Sequence, residues 1–322
     1  MKILLVDNGS LEPAAVLALR EVARRLSARE GRAVFPVSLA HSDKVPVDAL
    51  GGDRRASAVG DKCKSLGGVP AQCVEPFFRA QLASGEREFV ILPFFIGPSR
   101  AVMHALPKVV EKLRAQFPDL RVRIAPVLHA AGDDTLARIL ADRVRSVLGE
   151  IAKTERETEP QKHGQRAGVE QEACGKTEPR VRVALVDHGS PTPEVTAVRD
   201  EVAAQLAAFL GDDARVAEVA ASSMECRPGP TYVFNEPLLE TLLAREAWRG
   251  NAGMRSLIIV AQLFLLPGRH ASLGGDIAQI CARAKERSPS LQTVQTEPLA
   301  THPLIVELLA QRLAGLQNPL VP

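Results

Sequence analysis

The stretch LVDNGSLEPAAVLALREVARRL, residues 5–26, returns as LVDHGSPTPEVTAVRDEVAAQL at residues 185–206. The two align without a gap, and Val6, Asp7, Gly9, Ser10, Pro13, Glu21 and Val22 all recur. Each copy opens on a continuous apolar run, KILLV or VRVALV, closed by polar turn residues. Such a run is the pattern of a strand buried on both faces of a parallel sheet. A helix follows. In the second copy Pro193 falls in its first turn, Glu194 comes next, and Val195, Val198, Val202, Leu206 and Phe209 recur at helical spacing. Two more blocks repeat in the same order. FVILPFFIGPSR from Phe89 matches LIIVAQLFLLPGRH from Leu257, and RVRIAPVLHA from Arg121 matches LQTVQTEPLATH from Leu291. The chain is two copies of one unit.

These blocks predict strands at Ala33–Leu39, Phe89–Phe95 and Arg121–Pro126, and again at Arg215–Ala221, Leu257–Leu265 and Gln292–Thr296. Helices are expected at Ala105–Gln116, Thr135–Val147, Gly275–Arg287 and His302–Ala314. Strands alternating with helices imply an α/β fold with parallel sheets. The expectation is two similar domains, residues 1–150 and 181–322, each a four-stranded, mainly parallel sheet flanked by helices. The sheets would face each other across an interdomain cleft. Between them, residues 151–180 are rich in Glu, Lys, Gln and Thr and poor in bulky apolar side chains, which predicts a flexible linker. Cys174 and His163 fall in it as bystanders. A second soft region, Lys44–Val74, has a much shorter counterpart in the second copy and reads as an insertion loop.

Composition narrows the function. The 322 residues carry 40 Lys+Arg against 38 Asp+Glu, a net charge of +2, and only 4% aromatics. That balance makes no electrostatic case for nucleic acid or a polybasic membrane anchor, and supplies few stacking platforms. The longest apolar stretch, LIIVAQLFLLPG, is too short to span a bilayer. MKILLVDNGS lacks the plan of a secretory leader, so a cytoplasmic location is expected. The 5 cysteines include no C-x-x-C pair, which argues against a disulfide framework or structural zinc. No P-loop or dinucleotide G-x-G-x-x-G motif is present, so nucleotide chemistry is not expected.

Ligands in open parallel sheets sit beyond the carboxyl ends of the strands. In the second copy those ends read Asp187-His188-Gly189-Ser190, then Ser222-Ser223-Met224-Glu225, then Pro267-Gly268-Arg269-His270. The topology brings His188, Glu225 and His270 to one edge. Two imidazoles and a carboxylate suit a borderline divalent ion such as cobalt, iron, nickel or zinc. Three protein ligands leave positions open for a substrate. A single histidine at such a place is more often a satisfied surface residue; two at matched strand ends favour function.

HGS after the first strand, an acidic residue after the second, and G-x-H followed by Asp276-Ile277 resemble the CbiX-type sirohydrochlorin chelatases. The resemblance covers both copies. It implies an ATP-independent lyase, with no organic cofactor, that inserts Co²⁺ or Fe²⁺, as substrate metal, into sirohydrochlorin or a related tetrapyrrole in cobalamin- or siroheme-type biosynthesis. It places the metal-binding and catalytic roles on His188, His270 and Glu225. A neutral imidazole can hold the metal or take a proton, and a carboxylate can steady the cation. Arg269 and Arg227 are candidates for the acidic substituents of the macrocycle, with Ser190, Asn8 and Ser99 as weaker substrate contacts.

The first copy departs from this pattern. His188 is matched with Asn8, His270 with Ser99, and Glu225 with a residue near Asp43. Asn and Ser are poor ligands for such ions, so the first half is expected to keep the fold without the metal site. His41, His104 and His129 match no family position. Met103 and Met224 read as packing residues, and Cys226 as a structural thiol ahead of a soft ligand. The partners expected are a tetrapyrrole and a divalent metal, with no nucleic acid and no membrane, on a monomer or weak homo-oligomer. Two alternatives remain: a non-catalytic tetrapyrrole or metal carrier on the same scaffold, and a two-lobed solute-binding protein, against which the HGS and G-x-H elements argue.

Overall fold

The structure, a computed structural model, describes residues 1–51, 68–158, 181–249 and 256–317. The first half contains β1 (Lys2–Asp7), α1 (Pro13–Glu30), β2 (Val34–Ser38), α2 (Val74–Ala83), β3 (Glu88–Pro93), α3 (Leu106–Gln116), β4 (Arg121–Ile124) and α4 (Thr135–Thr158). The second contains β5 (Val181–Asp187), α5 (Pro193–Leu210), β6 (Val216–Ser223), α6 (Leu239–Leu243), α7 (Glu246–Arg249), β7 (Ser256–Gln262), α8 (Asp276–Arg287), β8 (Leu291–Gln295) and α9 (Pro303–Gln317). Each half builds a four-stranded sheet, in the orders β2-β1-β3-β4 and β6-β5-β7-β8. Every described pairing is parallel.

Successive side chains of a strand leave opposite faces, and the sheet interiors follow that rule. Ile3, Leu5, Val90 and Leu92 enter one large core shared by both halves. Leu4, Val6, Phe89 and Ile91 face outward, under α2 and α3, against Phe77, Phe78, Val110 and Leu113. The second sheet repeats this, its outer face packed on Leu239, Leu242, Trp248, Ile277 and Ile280.

The shared core is closed by an exchange of helices. Helix α4, at the end of the first half, lies against α5 and β7 of the second. Helix α9 lies against α1 and β3 of the first. Polar contacts pin both. Arg145 Nη2 donates to the Phe209 carbonyl at 2.7 Å, and Arg312 Nη2 donates to the Leu128 carbonyl at 2.6 Å and to Asp133 Oδ2 at 2.7 Å. His129 Nε2 lies 3.1 Å from Glu201, and His302 Nε2 3.5 Å from Asp142. Two histidines thus bridge the halves.

Several expectations shift. Helix α4 runs to Thr158, so the first turns of the expected linker at 151–180 are helical; residues 159–180, with His163 and Cys174, lie outside the described residues. The Glu- and Lys-rich composition there is that of a solvent-facing helix end as much as of a linker. The short helices α6 and α7, and α2, carried too little periodicity to be read. In the insertion, Val45 and Leu50 are buried against Val16, so its start is packed; residues 52–67, with Cys63, are outside the described residues. Met103 is 55% exposed and is not a packing residue, whereas Met224 is buried. No helix among the described residues is long and apolar enough to cross a membrane.

Candidate functional site

Strand register fixes which residues of the two halves correspond. Val6 pairs with Pro93 and Val186 with Gln262, and the next amides repeat the match: Phe94 N donates to the Val6 carbonyl and Leu263 N to the Val186 carbonyl. Counting on, Ser99 stands opposite Gly268, Arg100 opposite Arg269, and Ala101 opposite His270. Likewise Asp7 pairs with Ser38 and Asp187 with Ser223, so the counterpart of Glu225 is Ala40. The expected matches of Ser99 with His270 and of Asp43 with Glu225 are therefore wrong by two and three residues. The corrected set, Asn8, Ala40 and Ala101, has no charged or imidazole group where the second half has His188, Glu225 and His270.

In the second half the three strand ends converge. The His188 and His270 rings lie edge to face, centroids 4.7 Å apart at 76°. His188 Nε2 is 3.6 Å from Glu225 Oε1. His188 Nδ1 is 3.0 Å from the Gly189 carbonyl, which can only accept, so Nδ1 carries the proton and Nε2 the lone pair. His270 Nδ1 is 2.6 Å from Asp276 Oδ2, which again leaves Nε2 as the ligating nitrogen. A carboxylate behind a metal-binding imidazole fixes its orientation and raises its basicity. In the sequence Asp276 stands out only as part of the G-x-H…Asp-Ile motif. Its link to His270 spans the turn that enters α8, and no local periodicity marks it.

Backbone geometry holds these groups. Gly189 has φ +87, and a Cβ there would fall 1.9 Å from the Glu225 carbonyl oxygen. Only glycine lets the HGS turn lie against the end of β6. Gly275 is as tight: a Cβ would fall 2.4 Å from the Arg269 carbonyl and 2.8 Å from that of His270. The first half keeps Gly9, at φ +92 and as tight against the Ala40 carbonyl, but has no counterpart of Gly274 and Gly275: a π-helical turn, Ala101–Ala105, stands there.

Beneath the HGS turn runs a buried relay. Arg199 Nη1 donates to Ser223 Oγ at 2.6 Å and to the Asn235 carbonyl at 2.8 Å. Ser223 Oγ donates to Asp187 Oδ1 at 2.6 Å, and the Gly189 amide donates to the same oxygen at 3.0 Å. Burial pushes the Asp187 carboxyl up from its ordinary range, while Ser223, Arg199 and the Gly189 amide pull it back. The Asn235 amide group pairs in both directions with the backbone of Ser190, at 2.9 Å each way. Ser190 Oγ in turn accepts from the Thr192 amide at 3.0 Å. Ser190 thus shapes the loop into α5.

A cavity of about 400 Å³ lies between the halves. Asp7, Asn8, Gly9, Ser10 and Phe94–Ile96 line it from the first half, and His188, Leu263–Leu266 and Gly268–Ala271 from the second. Asn8 and Arg269 therefore line the cavity. Ser99 does not: its Oγ is buried with no hydrogen-bond partner. Arg227 is exposed, two residues beyond Glu225. His41, in left-handed backbone at φ 70, and His104 are exposed and away from the pair. Cys226 is a partly buried free thiol. Among the described residues, no three His, Cys, Asp or Glu side chains are drawn tightly enough to hold an ion as they stand. The arrangement is an open set of donors, with the rings oriented and the third position 3.6 Å away.

The family model described as CbiX matches residues 70–147 and 182–316, more than half of the chain. The chain belongs to the CbiX family. No curated protein matches it by sequence. Among solved structures it is similar to SirB from Bacillus subtilis with Fe3+, at 14% identity and a TM-score of 0.60, over 98% of this chain and 95% of that one. It is similar to the sirohydrochlorin chelatase SirB from Bacillus subtilis subspecies spizizenii in complex with cobalt, at 13% identity and a TM-score of 0.59, over 98% and 94%. At these identities the likeness is one of fold, and it extends across both halves of this CbiX-family chain.

Proposed function

We propose that this CbiX-family protein inserts a divalent metal into sirohydrochlorin or a close relative, with His188, His270 and Glu225 receiving the ion. The observation that carries this reading is the anchoring of both imidazoles through Nδ1, by the Gly189 carbonyl and by Asp276. Two oriented Nε2 lone pairs beside a carboxylate hold a borderline cation, and the open coordination positions pass it on. Family membership and the likeness in fold to a sirohydrochlorin chelatase support the same substrate class. The cavity, apolar at Phe94, Phe95 and Leu263–Leu266, suits the faces of a macrocycle, and Arg269 suits its acidic edge.

Insertion removes two pyrrole N–H protons and replaces the metal's water with nitrogen. An open donor set serves transfer better than storage, which favours an enzyme over the carrier reading. The test is insertion with the macrocycle in excess over purified protein, followed by absorbance, with sirohydrochlorin and Co²⁺, Fe²⁺ or Ni²⁺ in parallel. Multiple turnovers with one of these metals support the chelatase reading and name the metal. Tight binding of metal or macrocycle with no acceleration of insertion supports the carrier.

A further inference from the structure

The two halves bury the same aspartate at the end of their first strand and treat it differently. Asp187 is satisfied by Ser223, by the Gly189 amide and, through Ser223, by Arg199. In the first half the helix position of Arg199 is Leu19. Arg20, the next residue, reaches instead to the Val69 carbonyl at 2.5 Å. Asp7 keeps Ser38 and the Gly9 amide, the counterparts of Ser223 and Gly189, but nothing stands for Arg199; it is only 6% exposed, its Oδ1 is buried with no hydrogen-bond partner, and it lines the cavity that His188 and His270 share. A buried carboxylate without a cation is expensive to keep. The cavity supplies a use for it.

We propose that Asp7 is a further catalytic residue, the acceptor of a proton from the macrocycle as the metal enters. The inference rests on the insertion reading above. In the step, one pyrrole N–H bond breaks, its electron pair stays on nitrogen to form the metal–nitrogen bond, and the proton moves to an Asp7 carboxylate oxygen. The second N–H proton leaves to water, and no oxidation or reduction takes place. The half that lost its metal ligands thus keeps the base, and the two halves divide the chemistry.

The protonation chemistry fits. Burial pushes the Asp7 carboxyl up to about 6, with Ser38 and the Gly9 amide acting in the other direction. A base in that range is ionised near neutral pH and returns its proton to water readily. The charged and titratable groups lining the same cavity are His188, His270 and Arg269. None of them is among the groups that set the Asp7 value.

The experiment uses the full chain and compares wild type with Asp7→Asn and Asp7→Ala in Co²⁺ insertion into sirohydrochlorin. General bases contribute roughly 10²–10⁴-fold, so kcat should fall about 100-fold or more in Asp7→Asn while Co²⁺ affinity stays within about twofold. Added formate should restore part of the Asp7→Ala rate, an effect that a structural role would not show. Wild-type kcat should rise with pH through about 6. That arm needs no variant, and a flat profile from about pH 5 to 7.5 overturns the proposal whatever the variants do. Variant rates within about threefold of wild type, with the profile unchanged, overturn it as well and leave the insertion reading standing. A wild type that binds Co²⁺ but never accelerates insertion overturns both.

Discussion

The first strand of each half ends in Asp-X-Gly-Ser, with the glycine in left-handed backbone at φ +92 and φ +87. Around that common turn the halves have moved apart. The second half adds His188, Glu225 and His270 above it and Arg199 below it. The first half has Asn8, Ala40 and Ala101 above and Leu19 below. The turn stands in both halves although the three proposed ligands and the buried arginine are found in one, so the turn is a requirement of the fold. It closes the first strand onto the helix and brings two backbones within a distance that admits no Cβ. The proposed metal-binding capacity is a separate layer, placed on the turn by side chains and by the glycine loop before α8.

The largest effect should come from removing the ligands. His188→Ala and His270→Ala should each lower insertion by more than the roughly 10–100-fold typical of an outer-shell loss, with circular dichroism unchanged. Asn8→Ala should remain within a few-fold of wild type. If Asn8→Ala abolishes insertion while His188→Ala does not, the active half has been misassigned.

Asp276→Asn should cost roughly 10–100-fold in metal affinity or rate, since it leaves His270 in place but loosens its orientation. Metal titration and insertion kinetics together measure it, and wild-type values in both would remove Asp276 from the site.

The relay under the second turn makes a stability contrast. Arg199→Met should lose about 3 kcal/mol, because it strips the cation from a buried carboxylate. Leu19→Met at the matching position should lose less than about 1.5 kcal/mol. Urea denaturation of the two variants compares them, and equal losses would mean that Arg199 acts only as packing.

Asp7 gives the opposite sign. Its carboxyl sits above its unfolded value, at about 6 against 3.8, so the stability it contributes is full below the unfolded value and is lost as pH rises through about 6. Asp7→Asn should be the more stable protein at pH 8 by on the order of 2–3 kcal/mol, and the gap should close as the pH falls toward 4. Thermal melts at several pH values read this directly. A variant less stable than wild type at pH 8 would show that Ser38 and the Gly9 amide more than offset the burial of the charged carboxylate.

The smallest expected effect is a gain. The triple change Asn8→His, Ala40→Glu and Ala101→His restores the ligand types in the first half but not the loop. The π-helical turn at Ala101–Ala105 stands where Gly274 and Gly275 set His270, so Co²⁺ binding there should be weak at best. Affinity equal to that of the second half would make the loop irrelevant.

Much of this was legible in the residues. The gapless repeat, the apolar runs and the polar strand ends led to two parallel sheets, and parallel topology alone brought His188, Glu225 and His270 together. What could not be read depends on three-dimensional partners. The Asp276–His270 pair crosses an irregular turn. The residue correspondences across loops of unequal length needed strand register. Asp187 and Asp7 were visible as a repeated residue, but their different surroundings rest on Arg199, a helix residue whose inward side chain looks in sequence like any surface cation. Nor does chain order say which sheet a terminal helix will cover.

That last point reaches beyond the site. Because α4 covers the second sheet and α9 the first, neither half is a self-sufficient module. Severing the chain between α4 and β5 would create two fragments, each with a bare apolar sheet face and a helix with nothing of its own to cover. Such fragments are obligate partners, built for complementation rather than independent use. A lone fragment meeting a second copy of itself would find the same helix exchange on offer. The interlock therefore describes a molecule whose duplication could be fused end to end without redrawing a single packing surface, after which each copy was free to drift while the architecture held both in place.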